Sequence, residues 1–250
     1  MTTLNFPSQA VRETWIEPFD NGEDIRAHSG FRLAIDARDE VEYPVQILAT
    51  TTAVSVLVSP ETVGLPGVAV AATEEGLRAA LSAAGIAMNG ADNLFFLPQG
   101  QKARLAAAAN DDNVRRLTSE DGAAFAVFAA AAPAEDFAEA FVALDHWAVF
   151  GAFDGNRLVS VGSAFPFGGS ATVADLGVVT LPAARGKGRA KSVIEALVRH
   201  ALSEGFEPQY RCQLDNTSSV ILAGKSGFER LGTWDVSARS DGTSAERSTP

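Results

Sequence analysis

Cysteine is nearly missing from the 250 residues. Cys212 stands alone, which excludes an internal disulfide framework. Histidine is almost as scarce: His28, His146 and His200 are scattered, with no HxxxH or HExxH spacing, so no metal site is expected. No apolar run reaches the roughly 18 to 20 residues that span a bilayer, so no membrane partner is expected. The opening MTTLNFPSQAVRETW lacks a basic start followed by an apolar stretch, and no signal peptide is read there. Positive charge is in the minority, 20 Lys and Arg against 31 Asp and Glu, for a net charge of -11. A nucleic-acid partner calls for a broad basic face, so none is expected. Apolar residues, by contrast, make up 46% of the chain, enough for a packed core in one large domain or two small ones. A soluble, cytoplasmic protein is the simplest expectation.

The second half of the sequence divides cleanly into elements. Val114 to Leu117 is a short strand. Thr118, with Asp121 three residues on, resembles a capping box ahead of a helix around Ala123 to Ala130. Pro133 suits the first turn of a second helix carrying Phe137, Phe141 and Leu144 on one side. Trp147 to Phe153 and Arg157 to Phe165 are strand-like and joined by Asp154-Gly155-Asn156, a hairpin signal. Thr172 to Thr180 is a valine-rich strand. Ala190, Val193, Ile194, Leu197, Val198, Ala201 and Leu202 then follow the rhythm of one buried helix face, which Gly205 ends. Gln209 to Leu214 reads as a strand, Asn216 or Thr217 caps a helix stopping near Gly227, and Glu229 to Val236 is a final strand. The order is β-α-α-β-β-β-α-β-α-β, with a crossover helix between two strands of parallel character.

The first hundred residues are less legible. Val45 to Val58 reads as one long strand or a hairpin, Gly67 to Ala72 as a strand, Glu74 to Ala84 as a helix and Leu94 to Leu97 as a short strand. Gln99 to Asn113 is the expected join, although its alanines equally suit a helix. The resulting expectation is an N-terminal α/β subdomain of unassigned role over 1–110, a second domain over 111–236, and a flexible tail over 237–250 rich in Ser, Thr, Gly and charge.

The stretch Asp175 to Ala190, DLGVVTLPAARGKGRA, is the most informative. An apolar strand runs into a Pro-containing turn that opens the strongly patterned helix. Gly186 and Gly188 let the backbone approach a ligand closely, and the first amides of a helix lack internal partners. Arg185, Lys187, Arg189 and Lys191 crowd four cations into this turn of an acidic chain. The combination describes an anion site, most naturally for phosphate. A solvated surface turn is the bland alternative. A dinucleotide fingerprint fits poorly, because Lys191 stands at the third glycine position and the preceding strands form a meander. A phosphate loop of the Walker type fails at Ser219, where its first glycine belongs.

Arg185-Gly186-Lys187-Gly188-Arg189-Ala190 and the later Asn216…Gly227-Phe228 resemble the two motifs of the GCN5-related N-acetyltransferases (GNAT), and the element order resembles theirs too. The likeness covers about Val114 to Val236. It implies a mixed α/β (α+β) fold, with a mostly antiparallel central sheet flanked by helices and the N-terminal subdomain as an addition. It implies acetyl-CoA as co-substrate, with its pyrophosphate over Arg185, Gly186, Lys187, Gly188, Arg189 and Ala190. Its pantetheine arm would pair with the backbone of Val178, Val179 and Thr180 and lie beside Asn216 and Ser219. The implied reaction is acetyl transfer to a primary amine of a small molecule or peptide, by direct attack in a ternary complex.

Many relatives carry a Tyr acid eight residues into the helix that begins at Asn216; here Ala223 stands in that place. Water, Ser218 or Ser219 are the remaining proton sources, and a thiol of pKa about 8.5 also leaves tolerably unaided. For a base, Asp175 is the candidate, on the strand that leads to the presumed acetyl site; the alternative is that it takes a structural hydrogen bond. The absent Tyr also motivates a second reading, a catalytically silent acyl-CoA-binding module with the same fold. The acidic composition hints at a cationic acceptor. His146, before Trp147, is a minor candidate for the substrate cleft.

Overall fold

The computed structural model describes residues 7–36, 38, 41–109, 111–169 and 172–238. The first half contributes α1 (Gln9–Trp15), α2 (Glu17–Asp20), β1 (Glu23–His28), β2 (Phe31–Ile35), β3 (Val45–Thr50), β4 (Val54–Val58), α3 (Pro60–Val63), α4 (Glu74–Ala83), β5 (Asp92–Phe96) and α5 (Gln99–Ala107). The second contributes β6 (Val114–Arg116), α6 (Gly122–Ala131), α7 (Ala134–Ala140), β7 (Ala148–Asp154), β8 (Arg157–Pro166), β9 (Val173–Thr180), α8 (Arg189–Ser203), β10 (Glu207–Gln213), α9 (Thr217–Lys225) and β11 (Glu229–Val236). Among the described residues the strands form one sheet in the order β1-β2-β4-β3-β11-β5-β10-β9-β8-β7-β6. Only the pairs β2–β4 and β9–β10 are parallel. The fold is therefore mixed and mostly antiparallel, flanked by helices.

The expected join near residue 110 does not divide this sheet. β5, from the first hundred residues, lies between β10 and β11, and β11 pairs with β3 on its other side. The sequence of β5 suits a central position because both of its faces are apolar. Leu94 and Phe96 pack with Trp15 and Trp234, while Phe95 packs with Leu197 and Tyr210. α5 forms across the stretch first read as a connection. It buries Leu105 and brings Lys102 to 2.5 Å from Glu207 at the start of β10.

Val45 to Val58 is a hairpin, closed where the Thr50 amide donates to the Ala53 carbonyl at 2.8 Å. Gly67 to Ala72 is not a strand. Its amides are satisfied locally, Val68 by Leu65 and Ala71 by Val68, and Gly67 has φ 86°. The short helices α1 and α2 and the strands β1 and β2 went unread, although β2 buries Leu33 and Ala34 completely. In the stretch expected as a tail, Ser237 is tied down, its amide donating to the Val45 carbonyl at 3.1 Å; residues 239–250 lie outside the described residues.

α8 holds the sheet's second half in place. Val193, Ile194, Leu197 and Val198 are buried, each worth about 1.5 to 3 kcal/mol. Gly162 on β8 permits the approach, since a Cβ there would sit 2.8 Å from Val193 and 2.9 Å from Leu197. This packing fixes where the first turn of α8 emerges, directly beyond β9.

Candidate active site

The parallel ladder between β9 and β10 runs only from Glu207 opposite Val173 to Tyr210 opposite Leu176. Beyond it β9 stays on β8 as far as Thr180, and β10 stays on β5 as far as Gln213. Each strand is held by its outer neighbour, so the two splay apart. A cavity of about 510 Å³ opens in the wedge, within the range of small-molecule sites. The Leu181 amide donates to Val159 of β8 at 3.0 Å, and Ser160 Oγ donates to the Val179 carbonyl at 3.1 Å. Backbone groups alternate in direction along a strand, so those of Val178 and Thr180 face the wedge while those of Val179 face β8.

The wedge leads to the cationic turn. Gly186 and Gly188 have φ 74° and 78°, the left-handed region that favours glycine, and a Cβ at either would meet nothing within 4 Å. Gly188 caps α8 without any side-chain cap bond. Among the described residues, no protein acceptor engages the amides of Gly186 to Lys191. Gly186, Gly188, Arg189, Ala190 and Lys191 line the same cavity, at the positive end of the helix dipole. Of the cations, Arg185 is held by the Asp136 carboxylate, Lys191 lies 2.7 Å from Glu195, and Arg189 lies 3.9 Å from Asp154. Lys187 is exposed and has no ion-pair partner among the described residues.

On the β10 side, Asn216 Oδ1 accepts from the Ser219 amide at 3.0 Å and from Ser218 Oγ at 2.9 Å, capping α9. Its Nδ2 donates to Glu139 at 3.1 Å. α7 thus bridges the wedge, gripping the cationic turn through Asp136 and the α9 cap through Glu139. Its end lies on β9 so closely that a Cβ at Gly177 would fall on the Ala140 carbonyl. Tyr210 lines the cavity, and its hydroxyl donates to Ser219 Oγ at 3.4 Å. Ala223 faces the core, 1% exposed.

Asp175 does not reach the cavity. It is fully buried, accepting from Arg211 at 2.7 and 3.1 Å and from Gln209 at 3.4 Å. A carboxylate fixed by a guanidinium out of reach of an acceptor cannot take its proton, so the expected base is an anchor instead. Burial works against the charge of Arg211, but Asp175 and then Asp92, 3.3 Å away, hold its pKa above the usual arginine value. Its guanidinium lies 4.8 Å from the Phe167 ring centre and 5.6 Å from that of Trp234. Trp15 and Tyr43 complete the aromatic group, with ring centres 5.1 and 5.7 Å from Trp234. His146 lies outside the cavity, its Nδ1 2.9 Å from Ser163 Oγ between Phe141 and Phe165, and burial lowers its pKa. Cys212 is buried as a small apolar group, as expected. No potential metal cluster occurs among the described residues, and no helix there is long and apolar enough to cross a membrane.

Residues 114–228 match the model of the acetyltransferase (GNAT) family. This segment is a GNAT acetyltransferase domain. The match spans β6 through α9, so it contains β9, the cationic turn and β10 but not Tyr43, Asp92 or Trp234. Similar solved structures include a GNAT-family acetyltransferase from Colwellia psychrerythraea, 21% identical over 60% of this chain and 57% of that one, with a TM-score of 0.48. This chain therefore spans somewhat over half the length of that relative. A putative GNAT acetyltransferase from Novosphingobium aromaticivorans is 15% identical over 94% of this chain and 96% of that one, with a TM-score of 0.49. An aminoglycoside N-acetyltransferase in complex with CoA is 25% identical over 47% of this chain and 92% of that one, with a TM-score of 0.39. No protein of curated function matches the sequence.

The sequence reading did not place Tyr43, Asp92, Phe167, Tyr210, Arg211 and Trp234 in the cavity. One signal was available: Arg211 lies in the middle of the strand EPQYRCQ, and an arginine on a strand buried inside a sheet demands a partner. The partner's identity was not readable, because Asp92 lies on a strand distant in sequence.

Proposed function

We propose that this protein is an acetyl-CoA-dependent N-acetyltransferase acting on a primary amine of a small molecule or peptide by direct attack in a ternary complex. One observation carries the reading: an open-edged strand, β9, ends at a turn whose amides from Gly186 to Lys191 have no protein partner among the described residues and which brings Arg185, Arg189 and Lys191 to one cavity. Such a site suits an extended molecule with an amide-bearing arm and a diphosphate. Acetyl-CoA would supply the activated acetyl group. Arg185 to Ala190 hold its phosphates, Val178 and Thr180 pair with its arm, and Asn216 and Ser219 border the arm from α9. The narrow end of the wedge, at Leu176 and Tyr210, is where the amine meets the thioester. Tyr210 supplies the hydroxyl there that Ala223 lacks, positioned to donate a proton to the departing thiolate.

The buried Asp175 favours one competing reading, a silent acyl-CoA-binding module with no base of its own. Titration calorimetry with CoA and acetyl-CoA, followed by thiol release across an amine panel, separates the two. Binding with turnover supports the transferase, binding without turnover on any amine supports the module, and no binding of either thiol compound removes both.

A further inference from the structure

With Asp175 buried, another group in the cavity has to take the proton that an ammonium loses before it attacks a thioester. Among the described residues no histidine lines the cavity, and its carboxylates are Asp92, Asp136 and Glu139. Asp92 lies 3.3 Å from Arg211, and Asp136 holds Arg185. Glu139 is different. It is exposed, and its Oε2 accepts from a neutral group, Asn216 Nδ2, at 3.1 Å. A carboxylate has about four acceptor sites, so the bond to Asn216 leaves room for an ammonium. Resting on the transferase reading, we infer that Glu139 on α7 is the general base, receiving the ammonium of the acceptor and taking its proton.

Its position suits the task. The end of α7 lies on β9 at Gly177, where a Cβ would fall on the Ala140 carbonyl. Gly177 follows Leu176, which stands opposite Tyr210 in the last rung of the parallel ladder. Glu139, next to Ala140, is thus held at the narrow end of the wedge, where the thioester is proposed to lie. Side chains alternate along β9, so Gly177 turns to α7 while Leu176 packs with Tyr210 under α8. Base and proposed proton donor therefore approach from opposite faces of the sheet. The other charged groups on the elements around Glu139 are Glu135 and Asp136 on α7, Asp175 on β9, Asp215 before the cap, and Lys225. Lys225 stands about 12 Å along α9 from the first residue of that helix. Among the described residues no cation pairs with Glu139.

The ammonium gives one proton to Glu139, directly or through one water, and the exposed carboxylate passes it to solvent. The freed lone pair forms the C–N bond at the acetyl carbonyl carbon. The C–S electron pair leaves with sulfur, which takes the proton of Tyr210. The second nitrogen proton goes to solvent, and solvent reprotonates Tyr210. One acetyl group moves and one proton is released.

Glu139→Gln keeps an oxygen for Asn216 Nδ2 and removes the base. The full-length variant is expected to bind CoA within about threefold of the parent, by calorimetry. Thiol release from acetyl-CoA is then followed with a panel of alkylamines of pKa about 10.4. In the parent kcat/KM should be level from pH 7 to 9, because the bound ammonium gives up its proton on the enzyme. In the variant only amine already neutral in solution reacts, and that fraction rises about tenfold per pH unit. The loss is therefore expected to be about a hundredfold at pH 7, about tenfold at pH 8 and less than about threefold at pH 9. A loss of the same size at every pH would mean that Glu139 only steadies Asn216, and it overturns the assignment. So does a loss below about threefold at pH 7. Either result leaves the transferase reading standing, whereas a parent that turns over no amine removes both.

Discussion

The two ends of the cavity are built in opposite ways. The end proposed for phosphate is backbone: six consecutive residues, Gly186 to Lys191, offer amides with no protein partner among the described residues, because two glycines hold left-handed angles and a helix starts there. The other end is side chain: Tyr43, Asp92, Phe167, Arg211 and Trp234 converge from β5, β10, β11 and the loops around them. A backbone site tolerates many side chains and fails only when its angles or its space are lost. A side-chain site depends on every charge having its partner. The two ends should therefore break under different substitutions.

The largest effect is expected at Arg211. Arg211→Met strands Asp175 and Asp92 without their shared cation, and breaking a buried pair in this way costs about 3 to 5 kcal/mol. Chemical denaturation measures it. A second substitution, Asp175→Asn, should recover part of the loss because the stranded buried charge is then gone. Where the variant is folded, its affinity for CoA should stay within about threefold of the parent. A parallel loss of CoA binding would show that the ends are not separable.

Gly188→Val is the reciprocal experiment. The space around Gly188 is open, so the cost is conformational: a β-branched residue at φ 78° is strained, and the turn relaxes by rotating its amides away from the cavity. CoA affinity should fall about 30- to 100-fold, or roughly 2 to 2.7 kcal/mol, as read by calorimetry.

This contrast also explains what could be read from the sequence. The glycine turn, the α8 face and the Asn216 cap are local patterns, and each forms where expected. The splay of β9 from β10 has no local signature. It follows from β5 taking the place on β10 that β11 would otherwise fill, and β5 lies more than a hundred residues earlier. Without that strand placed, neither Asp92 beside Arg211 nor Tyr43 beside Trp234 could be read. The same gap misassigned Asp175. Periodicity gave its strand and face correctly, but its fate depended on Arg211 two residues past its neighbour on a parallel strand.

Asp175→Asn tests that reassignment with a smaller effect. A residue acting as general base contributes about a hundredfold or more to the rate. As an anchor, the change from carboxylate to amide instead weakens a buried hydrogen-bonded pair, costing about 1 to 3 kcal/mol of stability. At temperatures well below the unfolding transition, kcat should stay within about threefold of the parent. A hundredfold loss of kcat without loss of stability would restore Asp175 to catalysis.

The smallest expected effect has the opposite sign. Asp136 on α7 holds Arg185, and both side chains are about half exposed, 42% and 52%. An exposed pair of this kind is worth less than about 1 kcal/mol. In the phosphate-binding role Arg185 must turn from that carboxylate toward the ligand, so Asp136 competes with the phosphates for the same guanidinium. Asp136→Asn removes the competitor and also one negative charge near an anion site. CoA should therefore bind about two- to threefold more tightly at low salt, and the gain should shrink as added salt screens the pair. Weaker CoA binding in this variant would mean that Asp136 orients Arg185 for the ligand, so that α7 belongs to the phosphate end and not only to the bridge across the wedge.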